Sequence, residues 1–443
     1  MESYLARINY GFKSRYYIDA SWRTDGSSRF HPSDRWGHFW SVGASWRISE
    51  EQFMENTRQW LDNLTLKVSY GVQGNDNLGT YYAWQGLYDY TWPNATDAGA
   101  FVDKLENRKV TWEKNGNLNA GIEATMFGGR LGVSVEYYNR KTRDMLLNSP
   151  LPISTGFTGF NDNVGSLRNQ GLEVSLRGTI LDKRDFRWDA TLMGSFNRNK
   201  VLSLTGGQDV ITSGIRVIEV GRPIYTFYLP KTAGVDPATG KQLYYAYWTQ
   251  TVNDEGALVN TRCDEYITDN VAMATLSKYY HESREPKLFG SIGSTFTILK
   301  NIDVSFLTTY SIGGWVYDGL YNGSMYVQYA GNNWHKNAKR RWQKPGDKTD
   351  VPMLEVGGSY ATTSNSLIDA SYFAIKNITV GYTLPKRWLK KIDIESLRIY
   401  ATLDNIAMFN HMDGMDPQYN FTGSVAYSYT PSRVIAFGID LNF

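Results

Sequence analysis

The sequence predicts an all-β chain: an antiparallel transmembrane β-barrel sheet of about fifteen strands. Three observations predict it. The closing strand alternates apolar and polar residues, strand after strand keeps its charges on the polar phase, and the connections alternate between short and long. The closing segment reads R-V-I-A-F-G-I-D-L-N-F from Arg433 to Phe443. Ile435, Phe437, Ile439, Leu441 and Phe443 share one face, and Ala436, Gly438, Asp440 and Asn442 share the other, because side chains alternate along a strand. A strand that ends on an aromatic residue suits the closing position of a barrel. Phe437, Ile439, Leu441 and Phe443 are read as its assembly signal.

In chain order the spanning candidates are 5–12, 15–24, 37–47, 63–72, 116–126, 130–140, 169–180, 186–198, 222–231, 241–249, 287–298, 301–312, 372–384, 396–406 and 433–443. Leu64, Leu66, Val68 and Tyr70 oppose Lys67; Leu118, Ala120, Ile122, Ala124 and Met126 oppose Glu123. Leu131, Val133, Val135 and Tyr137 oppose Glu136; Leu172, Val174 and Leu176 oppose Glu173 and Arg177. Trp188, Ala190, Leu192 and Phe196 oppose Asp189, Ile302, Val304 and Phe306 oppose Asp303, and Leu397, Ile399 and Leu403 oppose Arg398 and Asp404. A cation on the lipid side near mid-membrane costs about 2–4 kcal/mol, whereas a wet bore imposes no such cost. Lys67, Glu123, Glu173, Arg177 and Asp303 are therefore expected to face the lumen. Residues 372–384 switch phase near Lys376-Asn377, which calls for a β-bulge.

Short connections are expected at Lys13-Ser14, 127–129, 181–185, 232–240, 299–300 and 385–395, and long ones at 73–115, 141–168, 199–221, 250–286, 313–371 and 407–432. Asp25 to Trp36 is a modest external loop, and Ser49 to Asn63 a longer turn with room for a helical turn. Short turns on one side and long loops on the other are the barrel pattern. An odd strand count cannot close with every neighbour antiparallel, so strands are expected upstream. Counting 222–231 and 241–249 as loop leaves the count odd. Met1 runs almost directly into a strand with no export signal ahead of it, so the start reads as a truncation or a mid-gene initiation. Residues 1–443 then form one partial barrel domain.

Composition agrees. There is no run of eighteen apolar residues for a spanning helix, while 31 Tyr and 14 Trp suit two interfacial girdles. A net charge of +2 gives no nucleic-acid footprint. Cys263 stands alone, so no internal disulfide forms. His31, His38, His281, His335 and His411 lack zinc-type spacing, and neither a phosphate loop nor a nucleophile elbow occurs. The expectation is no enzyme, no cofactor and no metal. His38 falls on the outward phase at a membrane boundary; His281 and His335 lie in loops. Gly128-Gly129 and Gly206-Gly207 read as turns.

The order and spacing of several segments resemble the SusC/RagA family of TonB-linked outer-membrane transporters of Bacteroidota. They are Asp25-Gly-Ser-Ser-Arg-Phe30, 41–51, 60–75, Trp112-Glu113, 163–173, 373–385, 397–405 and the terminal strand. The resemblance implies the C-terminal portion of a roughly 22-stranded barrel whose plug is missing here. It implies outer-membrane import of oligosaccharides or peptides, a SusD-like surface lipoprotein as lid, and energy from the TonB complex through the missing N-terminal part. Relatives often carry an acidic loop where this chain has Asp236-Pro-Ala-Thr-Gly240, so no metal site is expected there. The alternative is a surface adhesin or ligand-binding barrel without active transport. For cargo, Trp84, Tyr88, Trp92, Trp248, Trp315, Trp334 and Trp342 are the substrate-binding candidates, since flat rings stack on sugars or hold peptide side chains at low entropic cost. The competing reading is that these rings pack the loops together or meet the lipoprotein lid. Asn332-Asn333 and Lys336 add polar groups beside Trp334.

Overall fold

The computed structural model describes residues 1–93, 95–97, 99–204, 209–325, 333–355, 360–389, 394–418, 421–425 and 429–443. Gly206-Gly207 and Asn332 lie outside the described residues. One antiparallel sheet of 13 strands dominates, each strand bonded to the next in chain order. The strands are β1 (Glu2–Phe12), β2 (Tyr16–Gly26), β3 (Trp36–Arg47), β4 (Leu61–Asn75), β5 (Glu113–Met126), β6 (Leu131–Arg143) and β7 (Ser166–Lys183). They continue with β8 (Phe186–Ser203), β9 (Leu288–Ile298), β10 (Ile302–Ile312), β11 (Tyr372–Thr383), β12 (Ser396–Asn410) and β13 (Val434–Asn442). Among the described residues β1 and β13 are not partners, so both outer edges of the sheet are open.

Two expected strands are corrected. Residues 222–231 and 241–249 do not join the large sheet. Thr226–Pro230 belongs to a four-stranded sheet with Val210–Ser213, Arg216–Glu219 and Lys278–Ser283. Gln242–Val252 pairs with Thr232–Val235 and Leu258–Thr268. Their alternation serves small loop cores: Phe227, Leu229, Tyr244 and Ala246 are at most 2% exposed. A lipid-facing set would be open. The 232–240 connection is therefore part of one long excursion, 204–287, and not a short turn between spanning strands.

With that change the connections alternate between short and long from β4 to β11, while the β2–β3 loop (27–35) is shorter than the β3–β4 connection (48–60). The short ones hold tight turns. Lys13 and Ser14 have φ of 51° and 55°, and Arg15 N–H donates to Phe12 O at 3.0 Å. Leu299 and Lys300 repeat the arrangement with φ of 51° and 62°. Positive φ at both central residues makes these type I′ turns, whose twist matches antiparallel strands. The β3–β4 connection holds two 3₁₀ turns, Ile48–Glu50 and Gln52–Thr57.

Register carries the apolar phase from strand to strand. Tyr10, Ile18, Ala44, Val68, Ala120, Tyr137, Leu172 and Phe196 form one continuous row across β1–β8. Ile439, Ile399, Tyr382, Ile302, Ile298 and Phe186 form another across β13–β8. This face is open: Ile122 is 50% exposed, Phe437 81% and Ile439 63%. An apolar surface of this extent fits hydrocarbon rather than water. Aromatic belts bound it. Phe12, Tyr16 and Trp46 stack in series near the short turns, where Trp188 also stacks on Phe296. Near the long loops Tyr4 stacks on Trp36 and Trp22 on His38. Trp36 and Trp46 bracket β3, a span of about 34 Å at ~3.4 Å per residue. A strand tilt of about 40° makes that about 26 Å of thickness, the height of a membrane barrel's apolar band.

The other face is polar and cross-braced. Lys67 pairs with Glu123. Arg187 meets Asp189 at 2.7 Å. Arg398 grips both oxygens of Asp303, at 3.0 and 2.7 Å, and reaches Asp440 at 3.3 Å. This clasp ties β10, β12 and β13 across Gly381 on β11, where a Cβ would sit 2.5 Å from Asp303 Oδ1. Glu173 stands directly opposite Glu136, and Arg177 opposite Gly132 and Thr191. The register slips at Lys376, with Ile375 paired to Ala407 and Asn377 to Asp404; this is the expected bulge. The Lys376 ammonium bonds Gln418 at 2.6 Å.

Candidate functional site

On the polar face, at the long-loop end, the sheet and its loops line a half-open cavity of about 380 Å³. The strands supply Tyr138, Asn169, Asn197, Asn199, Phe289, Ser311 and Tyr372. Their inward phase follows from alternation with Tyr137, Leu172 and Phe196 on the apolar face. The 204–287 excursion adds Tyr225, Arg284 and Glu285, and the 411–433 connection adds Gln418 and Phe421.

A chain of hydrogen bonds fixes the wall. Tyr138 Oη donates to Asn197 Oδ1 at 2.7 Å, and Asn197 Nδ2 donates to Glu285 Oε1 at 2.5 Å. Asn199 Nδ2 donates to Asn169 Oδ1 at 2.7 Å, while Asn199 Oδ1 accepts Ile224 N–H at 2.8 Å. Burial pushes the Glu285 carboxyl above its usual range, against the pull of Asn199 and Asn197. Arg284 Nη2 donates to Pro417 O at 2.8 Å, but its Nε is buried without a partner. Behind Tyr225, Arg216 Nη2 donates to Thr422 Oγ1 at 3.2 Å, and its Nε is likewise buried and unpaired. Burial lowers both guanidinium pKa values. Among the described residues neither arginine has an ion-pair partner. Amides, phenols and an unsaturated guanidinium around aromatic faces suit a polar, multiply hydrogen-bonding guest.

Glu285 has a pH signature. A carboxyl with a raised folded pKa favours folding most below its unfolded value of about 4.3, and that contribution is lost as pH rises through the folded value. Thermal melts of the wild type should therefore fall across this window, and those of Glu285→Gln should be flatter. Parallel curves for the two proteins would place the titration elsewhere.

None of the seven aromatic candidates lines this cavity, and no two of them make ring contact among the described residues. Trp84 packs beside the Phe30, Phe39, Val110 and Trp112 core and meets His31 edge-on at 5.1 Å. Trp315 packs beside Phe227, Leu229, Tyr317 and Leu367. Trp342 Nε1 donates to Pro237 O at 2.9 Å and its ring lies against Gly240. Trp248 is half-buried in a loop strand, and its backbone carbonyl oxygen accepts the Tyr266 hydroxyl at 2.8 Å. Tyr88 (58%) and Trp92 (67%) stand open on a hairpin, Leu87–Asp89 with Phe101–Lys104. Trp334, 37% exposed, lies under the Arg341 guanidinium at 4.0 Å. His281 Nε2 lies 3.2 Å from Leu229 O, and His335 Nδ1 accepts Asn337 N–H at 3.2 Å. Asp236 spends both oxygens on its own turn, toward Ala238 N and Thr239 Oγ1. Among the described residues no three metal-binding side chains converge. Sequence reasoning missed Tyr138, Asn169, Asn197 and Asn199. Their signal was available: amides and a phenol on the polar phase at strand ends facing long loops. Arg284-Glu285 carries no such signal.

Comparison with known proteins places this geometry. A family model described as TonB dependent receptor-like, beta-barrel, matches residues 3–406. The chain is 29% identical over 456 residues to TonB-dependent receptor SusC of Bacteroides thetaiotaomicron, covering 100% of this chain and 43% of that protein. It is 29% identical over 474 residues to TonB-dependent receptor P26 of Formosa agariphila, covering 100% and 46%. The structure of the RagAB peptide transporter superposes with a TM-score of 0.84 at 30% identity, covering 100% of this chain and 47% of that one. The chain thus spans about half the length of the relatives it matches.

Proposed function

The chain belongs to the TonB dependent receptor-like β-barrel family, and from that premise we propose that it forms barrel wall and cargo site of an outer-membrane nutrient importer. The reading that fits best is SusC-like uptake of an oligosaccharide or peptide. A SusD-like surface lipoprotein would cap the long loops, and the TonB complex would act through parts of the receptor beyond this chain. Two observations support the proposal: the superposition of this whole chain on about half of the RagAB chain, and the polar cavity under this chain's own long loops. The cavity supports cargo contact by Tyr138, Asn197, Arg284 and Glu285. Exposed Tyr88, Trp92 and Trp334 remain candidates for first contact at the loop surface.

The test is uptake. Cells carrying the receptor should fractionate it to the outer membrane and accumulate labelled oligomers too large for porins. An uncoupler that collapses the inner-membrane proton gradient should abolish accumulation while leaving surface binding intact. Binding with no energised accumulation at all would favour the adhesin alternative.

A further inference from the structure

Just beyond the apolar band, at the long-loop end of β5–β8, the outward phase turns basic. Lys114, Lys141, Arg143, Arg168, Arg198 and Lys200 all fall on the phase of Leu118, Tyr137, Leu172 and Phe196. Register sets like charges side by side. Lys141 is directly opposite Arg168, Arg168 is directly opposite Lys200, and Lys114 is directly opposite Arg143. Directly opposed like charges on neighbouring strands disfavour the sheet, so a wall that carries three such pairs calls for counter-charge. The described residues supply little. Lys114 approaches Asp144 at 3.9 Å, the charge of Arg198 acts on the Glu285 carboxyl, and the other four have no ion pair among the described residues. None of the undescribed residues in the long-loop connections is acidic. Arg168 Nε is buried without a partner.

We infer that this basic collar on β5–β8 binds the phosphate groups of anionic lipid in the leaflet facing the long loops. The inference rests on the membrane reading above. Continuity argues for lipid over a soluble partner. The Lys141–Arg168–Lys200 row lies four residues along each strand from the Tyr137–Leu172–Phe196 row, about 14 Å of strand and about 10 Å of height at a barrel tilt of ~40°. That is headgroup level above an apolar wall. Long Lys and Arg stems can lie on that wall while their charges reach the phosphates. Arginine suits the role because its planar fork meets two phosphate oxygens at once.

The test uses the complete receptor in bilayers of phosphatidylcholine, the same with phosphatidylglycerol, and the same with lipopolysaccharide in place of phosphatidylglycerol. Wild-type receptor should melt higher in both anionic bilayers than in phosphatidylcholine alone. Neutralising Lys141, Arg168 and Lys200 together to Gln should erase that gain and weaken retained anionic lipid on the order of 100-fold, about fivefold per cation. In phosphatidylcholine the triple variant should melt no lower than wild type, since it loses only repulsion; this outcome separates a binding role from a structural one. Arg168→Lys should keep most of the gain. Equal melting of wild type in all three bilayers overturns the inference and leaves the transport reading standing. So does a gain reproduced by inorganic phosphate in phosphatidylcholine. Recovery of the receptor in a water-soluble folded form would overturn both.

Discussion

Leu192→Arg should cost the assembled barrel about 2–4 kcal/mol, roughly 30- to 800-fold in the folded fraction, while Met193→Arg next to it should cost almost nothing. The two side chains are matched controls. Leu192 is 44% and Met193 47% exposed, so burial does not separate them. What separates them is the face. Leu192 is paired with Leu176 and Ile292 on the apolar phase, and lies four residues from Trp188 toward the short turns and four from Phe196 toward the long loops. That puts it near the middle of the band, where a guanidinium has neither water nor a headgroup within easy reach. Met193 is paired with Ser175 and Ser291 on the polar phase, where an added cation meets water and hydroxyls. Denaturant titration in lipid vesicles, or heat-modifiable mobility of the membrane fraction, reads the difference. Equal losses for the two variants would mean that the apolar phase does not face hydrocarbon, and the membrane assignment would fail with it.

The same alternation explains what could be read from the sequence. A period of two with charges on one phase is local information, so Leu64–Tyr70, Leu118–Met126 and Ile302–Phe306 disclosed both their strands and their faces. The bulge at Lys376 showed because a phase switch is itself a local signal. The two misassigned segments had the same local signal for another reason. Phe227, Leu229 and Tyr244 alternate into small loop cores, and a period of two does not say whether the greasy face meets lipid or protein. For the aromatic candidates the sequence is silent in the same way, since it does not say which rings the loops use for their own packing. Exposure and stacking partners are long-range facts: Trp342 is spoken for by Pro237, a hundred residues earlier in the chain. The cavity needed register, because Tyr138, Asn197 and Glu285 meet only once β6, β8 and the 204–287 excursion are in place.

Register also makes one glycine the most sensitive position of the cavity. Gly171 on β7 lies opposite both Tyr138 and Asn197, the first two members of the hydrogen-bonded chain to Glu285. A Cβ at Gly171 would collide with the Phe196 carbonyl oxygen on β8 and stand 2.5 Å from Tyr138 Oη. The tyrosine can swing aside, but the carbonyl belongs to the sheet and cannot. Gly171→Ala therefore forces β7 and β8 apart and pushes Tyr138 off Asn197. Overpacking of this kind costs about 1–3 kcal/mol, and losing the Tyr138 bond adds about 0.5–1.5 kcal/mol. Gly178→Ala on the same strand is the control, because its nearest neighbour, Arg130 O, is 3.6 Å away; its cost should stay within about 0.5 kcal/mol. The two variants should part company twice, in assembled yield and in binding of labelled oligomer by what assembles. Assembly intact with binding lost would still support the cavity, since Tyr138 alone would have moved. Gly171→Ala that assembles and binds like Gly178→Ala would show that β7 and β8 do not meet at this register. The Tyr138–Asn197–Glu285 chain could not then be the wall of the cargo site.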